Sequence, residues 1–231
     1  MTTGWRTEML VLAVAASLIA MNSVDAATID IVNNCGDVIT ACAQSGSDTA
    51  DCYVLNGGGG TQQIDVGSNW PAGAIWGFPG NSGDPATGVQ ARAQADLAEF
   101  TIGGSGGQDF YDISNVNAYN EAIGISLPSI APGDAPSTQH CVPITCTIAD
   151  INAFCQAPNS LTGAPGEGCY NTDGPTATSP TTGTVAFKNA CPDAYSYTVD
   201  DPTSTFTCGT GTNYAVTFCP TASVGAEIHL W

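Results

Sequence analysis

The chain has 231 residues and a mass of 23.4 kDa, with three Lys and Arg against 21 Asp and Glu, a formal net charge of −18. That balance excludes a basic nucleic-acid-binding surface and repels anionic lipid. Only 10% of residues are charged and 43% are hydrophobic, with 27 Gly and 14 Pro, so the composition describes a loop-rich folded chain rather than an acidic disordered one. The length suits one domain, or at most two small ones.

Reading from the N-terminus, Arg6 precedes an apolar stretch from Met9 to Met21, followed by small residues at Ala26 and Ala27. The stretch falls short of the roughly 20 residues that span a bilayer, so residues 1–26 are expected to be a cleaved signal peptide and the protein to be secreted and extracellular, without stable membrane insertion. Cleavage leaves Arg92 and Lys188 as the remaining Lys and Arg residues. No Asn-x-Ser/Thr sequon follows, and solubility as a monomer is expected to rest on scattered carboxylates.

In chain order, "ATIDIVNNC" alternates apolar and polar residues before a turn, as a half-buried strand does. Further strands are expected at "TQQIDV", "GAIWGF", "LAEFTI", "DFYDIS", "AIGISL", "TVAFKN", "YSYTV", "STFTC" and "YAVTFC", with Gly, Pro, Asn or Asp in nearly every gap. This pattern predicts a mainly β protein, a sandwich or barrel rather than βαβ units. One short helix is expected at "TIADINAFC", capped by Thr147. The run "NGGGG" from Asn56 lacks the spacing and Lys of a phosphate-binding loop and is read as a turn, and residues 163–183 as a long ordered loop held at Cys169.

The ten cysteines imply an oxidising compartment. Cys35, Cys42 and Cys52 form an early group and Cys141, Cys146, Cys155, Cys169, Cys191, Cys208 and Cys219 a late one; both counts are odd, so full pairing requires a bond between the groups. Spacing alone leaves the pairing open. With His140 and His229 as the only histidines and no Cys-x-x-Cys, neither a metal site nor a redox cofactor is expected.

Strand parity singles out two carboxylates. Glu99 lies between Ala98 and Phe100 in "LAEF", and Asp112 occupies the middle of "DFYDIS"; two such strands can converge a Glu and an Asp on one surface, the pairing a glycosidase uses. Arg92 can enter the same cleft and orient a carboxylate, or sit on the surface for solubility. Trp76, Phe78, Phe110, Tyr111, Tyr119 and Tyr170 are candidates for stacking on sugars, but most are expected in the core, Phe100 and Phe110 above all. The tail "SVGAEIHLW" beyond Cys219 is an extension, residues 223–231, whose role the sequence does not give.

The segments "ATIDIVNNC", "LAEFTI", "DFYDISNVNAYNEAIGISL", "KNACPDAYSYTVDDPTSTFTC" and "NYAVTFCPTA" together resemble the thaumatin-like protein family, a pathogenesis-related group, over most of residues 27–222. The resemblance implies a central flattened β-sandwich, a disulfide-rich loop and short-helix region beside it, and an acidic cleft between them. It implies the bonds Cys35–Cys219, Cys141–Cys208, Cys146–Cys191 and Cys155–Cys169, and leaves Cys42 to pair with Cys52. Glu99 and Asp112 correspond to acidic cleft residues, and one of Asp200 and Asp201 to a later one. Asn117 stands where the family has an aspartate, which favours binding over hydrolysis or weakens the site altogether. Larger relatives carry a cysteine cluster after an Ile-Trp-Gly-Arg-Thr-like motif; here "AIWGFPGNSGDPATGVQARAQAD" lacks it, and Phe78 takes the arginine position. The function implied is binding of β-glucan or another cell-wall polysaccharide in an antifungal or defence role. The alternatives are weak endo-1,3-β-glucanase activity through Glu99 and Asp112, or a protein-interaction role such as inhibition of a secreted microbial hydrolase.

Overall fold

The computed structural model describes residues 26–156 and 168–221. The expected signal peptide, apart from Ala26, and the C-terminal extension lie outside the described residues. Strands β1 (Ala27–Asn33), β2 (Ile39–Ser45), β3 (Asp51–Leu55), β4 (Gly60–Gly67) and β5 (Trp70–Pro79) lead to helix α1 (Pro85–Arg92). After it come β6 (Leu97–Ile102), β7 (Gln108–Ser114), β8 (Ala118–Tyr119), β9 (Ile123–Ser129) and β10 (Ile144–Cys146). The last part holds α2 (Ile151–Phe154), β11 (Cys169–Tyr170), α3 (Thr182–Ala190), α4 (Asp201–Ser204), β12 (Phe206–Gly209) and β13 (Asn213–Phe218).

Two sheets form the sandwich, one of five strands in the order β10-β9-β13-β1-β4 and one of six in the order β12-β7-β6-β5-β2-β3. The first strand runs parallel to the last, Ile31 opposite Val216, and the Cys35–Cys219 bond ties their ends. Between the sheets, Ile29 and Ile31 meet Phe100, Ile102, Tyr111 and Tyr214. The aromatic rings pack edge to face, Phe100 on Tyr214 at 5.3 Å, and their polar ends are satisfied: Tyr111 donates to the Val142 carbonyl (2.6 Å) and Tyr214 to Asp109 (3.1 Å). Burial pushes the Tyr111 hydroxyl up to about 12.

A second, smaller core lies on the outer face of the six-stranded sheet. Asp84 caps α1, and the helix lies over Trp76 and the Cys42–Cys52 bond, with the Trp76 indole donating to the Gly88 carbonyl at 2.9 Å. Gly88 is required there because a Cβ would collide with both sulfurs. The remaining bonds, Cys141–Cys208, Cys146–Cys191 and Cys155–Cys169, fasten the short-helix region, where Phe154 packs edge-on against Phe187 at 5.0 Å. Closing loops of these lengths stabilises by about 2–4 kcal/mol per bond.

The structure departs from the sequence reading at several elements. "TVAFKN" is not a strand but the body of α3, started by a reciprocal cap between Thr181 and Thr184 and held by buried Phe187. "YSYTV" is a turn region with a single bridge from Tyr195 to Ser114. Helix α2 is capped by Asp150, not Thr147, and α1 and α4 were not expected. Strands β2 and β3 also escaped the pattern: β2 is buried on both faces from Ile39 to Ala43, so it does not alternate. Phe110 faces outward rather than into the core.

Asp96, just ahead of β6, is buried in the smaller core. Its Oδ1 accepts from the backbone N–H groups of Asn120 and Glu121 at 3.4 Å, while Oδ2 has no partner. Burial raises its pKa from an ordinary 3.8 to about 7. The unfolded chain releases this proton near 3.8 and the folded chain holds it to about 7, so the stabilisation is complete below 3.8 and is lost as pH rises to about 7. Replacing Asp96 by Asn is expected to raise the melting temperature by several degrees at pH 7.5 and to flatten its fall between pH 4 and 7. An unchanged pH profile in thermal melts would place the loss of stability with rising pH elsewhere.

Candidate functional site: an acidic cleft

The outer face of β6 and β7 forms the floor of a cleft of about 700 Å³. Its chemistry follows from register. Leu97, Glu99 and Thr101 of β6 stand opposite Ser114, Asp112 and Phe110 of β7, while Ala98, Phe100, Tyr111 and Ile113 between them point into the core. Directly opposed residues on an antiparallel pair have Cβ atoms about 4.5–5.5 Å apart, so the two carboxyls rise side by side from one surface. One wall is the end of α1, with Val89 and Arg92; the other comes from Val116, Asn117, Tyr195 and Asp201.

The two carboxyls have different surroundings. Asp112 Oδ1 is shut off from solvent without a hydrogen-bond partner. Its pKa is pushed well above the ordinary value, by burial first and then by the charges of Glu99 and Asp201. Burial also raises Glu99, but the Arg92 guanidinium and the Ser114 hydroxyl pull it back. Both carboxyls are thus pushed upward, and only Glu99 has a cation that opposes the shift.

Arg92 makes no direct ion pair with either carboxyl. It donates to Gln44 Oε1 at 2.7 Å and its guanidinium stands 5.3 Å from the centre of the Trp76 ring, a seat built from α1, β2 and β5. From there its charge acts on Glu99 across the cleft wall.

Asp201 and Asp200 are adjacent in sequence and separate in space. Asp201 is exposed, lines the cleft and accepts from the Tyr195 hydroxyl at 2.9 Å. Asp200 is 5% exposed, faces away, and is paired with Lys188 at 3.0 Å while accepting from the Ser196 N–H and hydroxyl at 3.1 Å. Asn117 is exposed at the cleft wall, its carbonyl accepting from the Asn171 N–H at 2.9 Å. Phe110, Tyr195 and Val89 also line the cleft, although the sequence did not mark them as a set. Parity with Asp112 could have placed Phe110; the others depend on long-range packing. Trp76 and Tyr119 are buried rather than presented to ligand, and Phe78 packs on the smaller core.

No metal centre is built by the described residues. Two clusters bring three potential ligand atoms together, Cys35 with Glu121 and Cys219, and Asp134 with His140 and Cys141, but every cysteine in them is in a disulfide.

Comparison with known proteins gives a match of residues 33–220 to the model of the Thaumatin family. A thaumatin-like protein of Actinidia deliciosa is 38% identical over 218 residues, covering 84% of this chain and 89% of the relative. A pathogenesis-related thaumatin-like protein 3.7 of Cryptomeria japonica is 35% identical over 195 residues, covering 70% and 80%. A glucan endo-1,3-beta-glucosidase of Prunus avium is 31% identical over 253 residues, covering 93% and 99%.

Removing the guanidinium tests the electrostatic account. Arg92→Gln is expected to move the titration of the Glu99 carboxyl upward in carbon-detected NMR, with little change in melting temperature. A midpoint that stays put or falls would show that Arg92 does not set the charge on Glu99.

Proposed function

The chain belongs to the thaumatin family, and from that membership we propose that it is a secreted protein binding β-glucan or a related cell-wall polysaccharide in its acidic cleft, in an antifungal or defence role. The observation that carries this reading is the direct cross-strand pairing of Glu99 with Asp112. Two carboxyls rising from one floor lie on the same side of a sugar chain resting there, well placed to accept hydroxyl hydrogen bonds. Hydrolysis needs them flanking the scissile bond, about 5–5.5 Å apart for retention or 6.5–9.5 Å for inversion. Phe110 on the floor and Val89 on the wall offer apolar surface to the faces of sugar rings, and the Asn117 amide adds hydrogen bonding without charge. The name of the Prunus avium relative supports a β-1,3-glucan as ligand class.

Weak endo-1,3-β-glucanase activity is the second reading, favoured by the split between the carboxyls. Asp112 would be the acid that protonates the leaving oxygen, and ionised Glu99, beside Arg92, the nucleophile or base. The two readings separate when retention on insoluble β-1,3-glucan and release of reducing ends are measured on the same purified protein. Binding without release is expected, with Glu99→Gln weakening retention about tenfold without lowering the melting temperature, and Asn117→Asp giving at most slight cleavage. Robust native turnover that Glu99→Gln abolishes while affinity persists would establish the enzyme instead.

A further inference from the structure

A second groove, of about 410 Å³, opens between the edge strands β3 and β4. Asp51 and Tyr53 of β3 pair with Ala43 and Ala41 of β2, which face the main core, so the groove lies on the opposite face of the six-stranded sheet from the cleft. Its volume falls within the roughly 300–1,000 Å³ of small-molecule sites. Strand β4 is the last of its sheet, pairing only with β1, so its outer backbone N–H and C=O groups have no ladder partner.

The lining differs from ordinary surface. Tyr53 and Trp70 are half-buried, and among the described residues neither the Tyr53 hydroxyl nor the Trp70 indole N–H has a hydrogen-bond partner. Tyr111, Tyr214 and Trp76, by contrast, all have theirs. Gln63 and Asp65 stand opposite Asp30 and Thr28 on the outer face of the five-stranded sheet, so β4 meets the groove through Ile64, Val66 and its unpaired backbone edge. The Asp48 and Asp51 carboxylates make no hydrogen bond among the described residues. These carboxylates do not converge as metal ligands do, and no Lys or Arg lines the groove. What remains is two amphipathic rings surrounded by spare acceptors, a combination suited to a molecule with apolar C–H faces and a rim of hydroxyl donors.

We propose that this groove is a second carbohydrate-binding site, separate from the acidic cleft, which takes a hexose chain against Tyr53 and Trp70 with its hydroxyls donating to Asp51, Asp48 and the free backbone carbonyls of the β4 edge. With sites on opposite faces of one sheet, a single molecule engages two polysaccharide segments, and its retention on an insoluble wall exceeds that of either site alone.

The test follows the indole N–H signal of Trp70, identified by its loss in Trp70→Phe, as nitrogen-15-labelled protein is titrated with hexasaccharides of β-1,3- or β-1,4-linked glucose. The signal is expected to move with at least one sugar, both in the native protein and in Glu99→Gln. Tyr53→Ala should weaken that response about tenfold and Asp51→Asn about threefold, leaving the response of the Thr101 and Phe110 amides unchanged. Asp51 is an exposed edge position, so its variant reports on binding even where loss of the Tyr53 ring disturbs packing. A Trp70 signal that is silent with both sugars overturns the proposal whether or not the cleft amides respond, as does one that moves equally in both groove variants.

Discussion

The antiparallel register of β6 against β7 is the constraint on which the rest of the molecule depends. It places Ala98, Phe100, Tyr111 and Ile113 in the main core and Leu97, Glu99, Asp112 and Phe110 on the outer face. Slipping β7 by one residue against β6 would bury Asp112 and turn Tyr111 and Ile113 out of the core, so core stability and cleft chemistry are fixed together. The neighbouring strands hold that register: Ala74 of β5 lies against Glu99, and Phe206 of β12 against Tyr111. The Cys141–Cys208 bond then fastens β12 to the disulfide-rich region that forms the far wall.

Like charges directly opposite on a sheet are destabilising, and this chain sets a Glu against an Asp with few cations to relieve them. Its two Lys and Arg residues among the described positions have separate tasks. Lys188 neutralises buried Asp200, where an unpaired carboxylate would be costly, and that anchor leaves Asp201 turned toward the cleft. Arg92 is held over Trp76 by Gln44 and lowers the cost of ionising Glu99. Asp112 has no such cation, and burial with the charges of Glu99 and Asp201 pushes its pKa up.

Much of this was legible in the sequence because half-buried strands alternate. "ATIDIVNNC", "LAEFTI" and "DFYDIS" gave their strands directly, and the parity of Glu99 and Asp112 put both on one surface. Where burial is two-sided the signal vanishes, as in β2, whose outer face is covered by α1. In "TVAFKN" the β-branched and aromatic residues suggested a strand, but the Thr181 cap and the contact of Phe187 with Phe154 make a helix. The choice between Asp200 and Asp201 depends on where Lys188 sits, and the placement of Arg92 on a helix packed against a disulfide, neither of which periodicity encodes.

In this chain the cleft lies between the β6–β7 floor, the wall carrying Asn117, Tyr195 and Asp201, and the end of α1. The central claim is that Glu99 and Asp112 act on one side of a bound sugar chain. A crystal structure with a β-1,3-glucan hexasaccharide tests it most directly. The account predicts an intact chain lying along β6 and β7, with both carboxyls hydrogen-bonded to hydroxyls on its lower face. A sugar threaded between them, with one carboxyl at the glycosidic oxygen and the other behind the anomeric carbon, would contradict it.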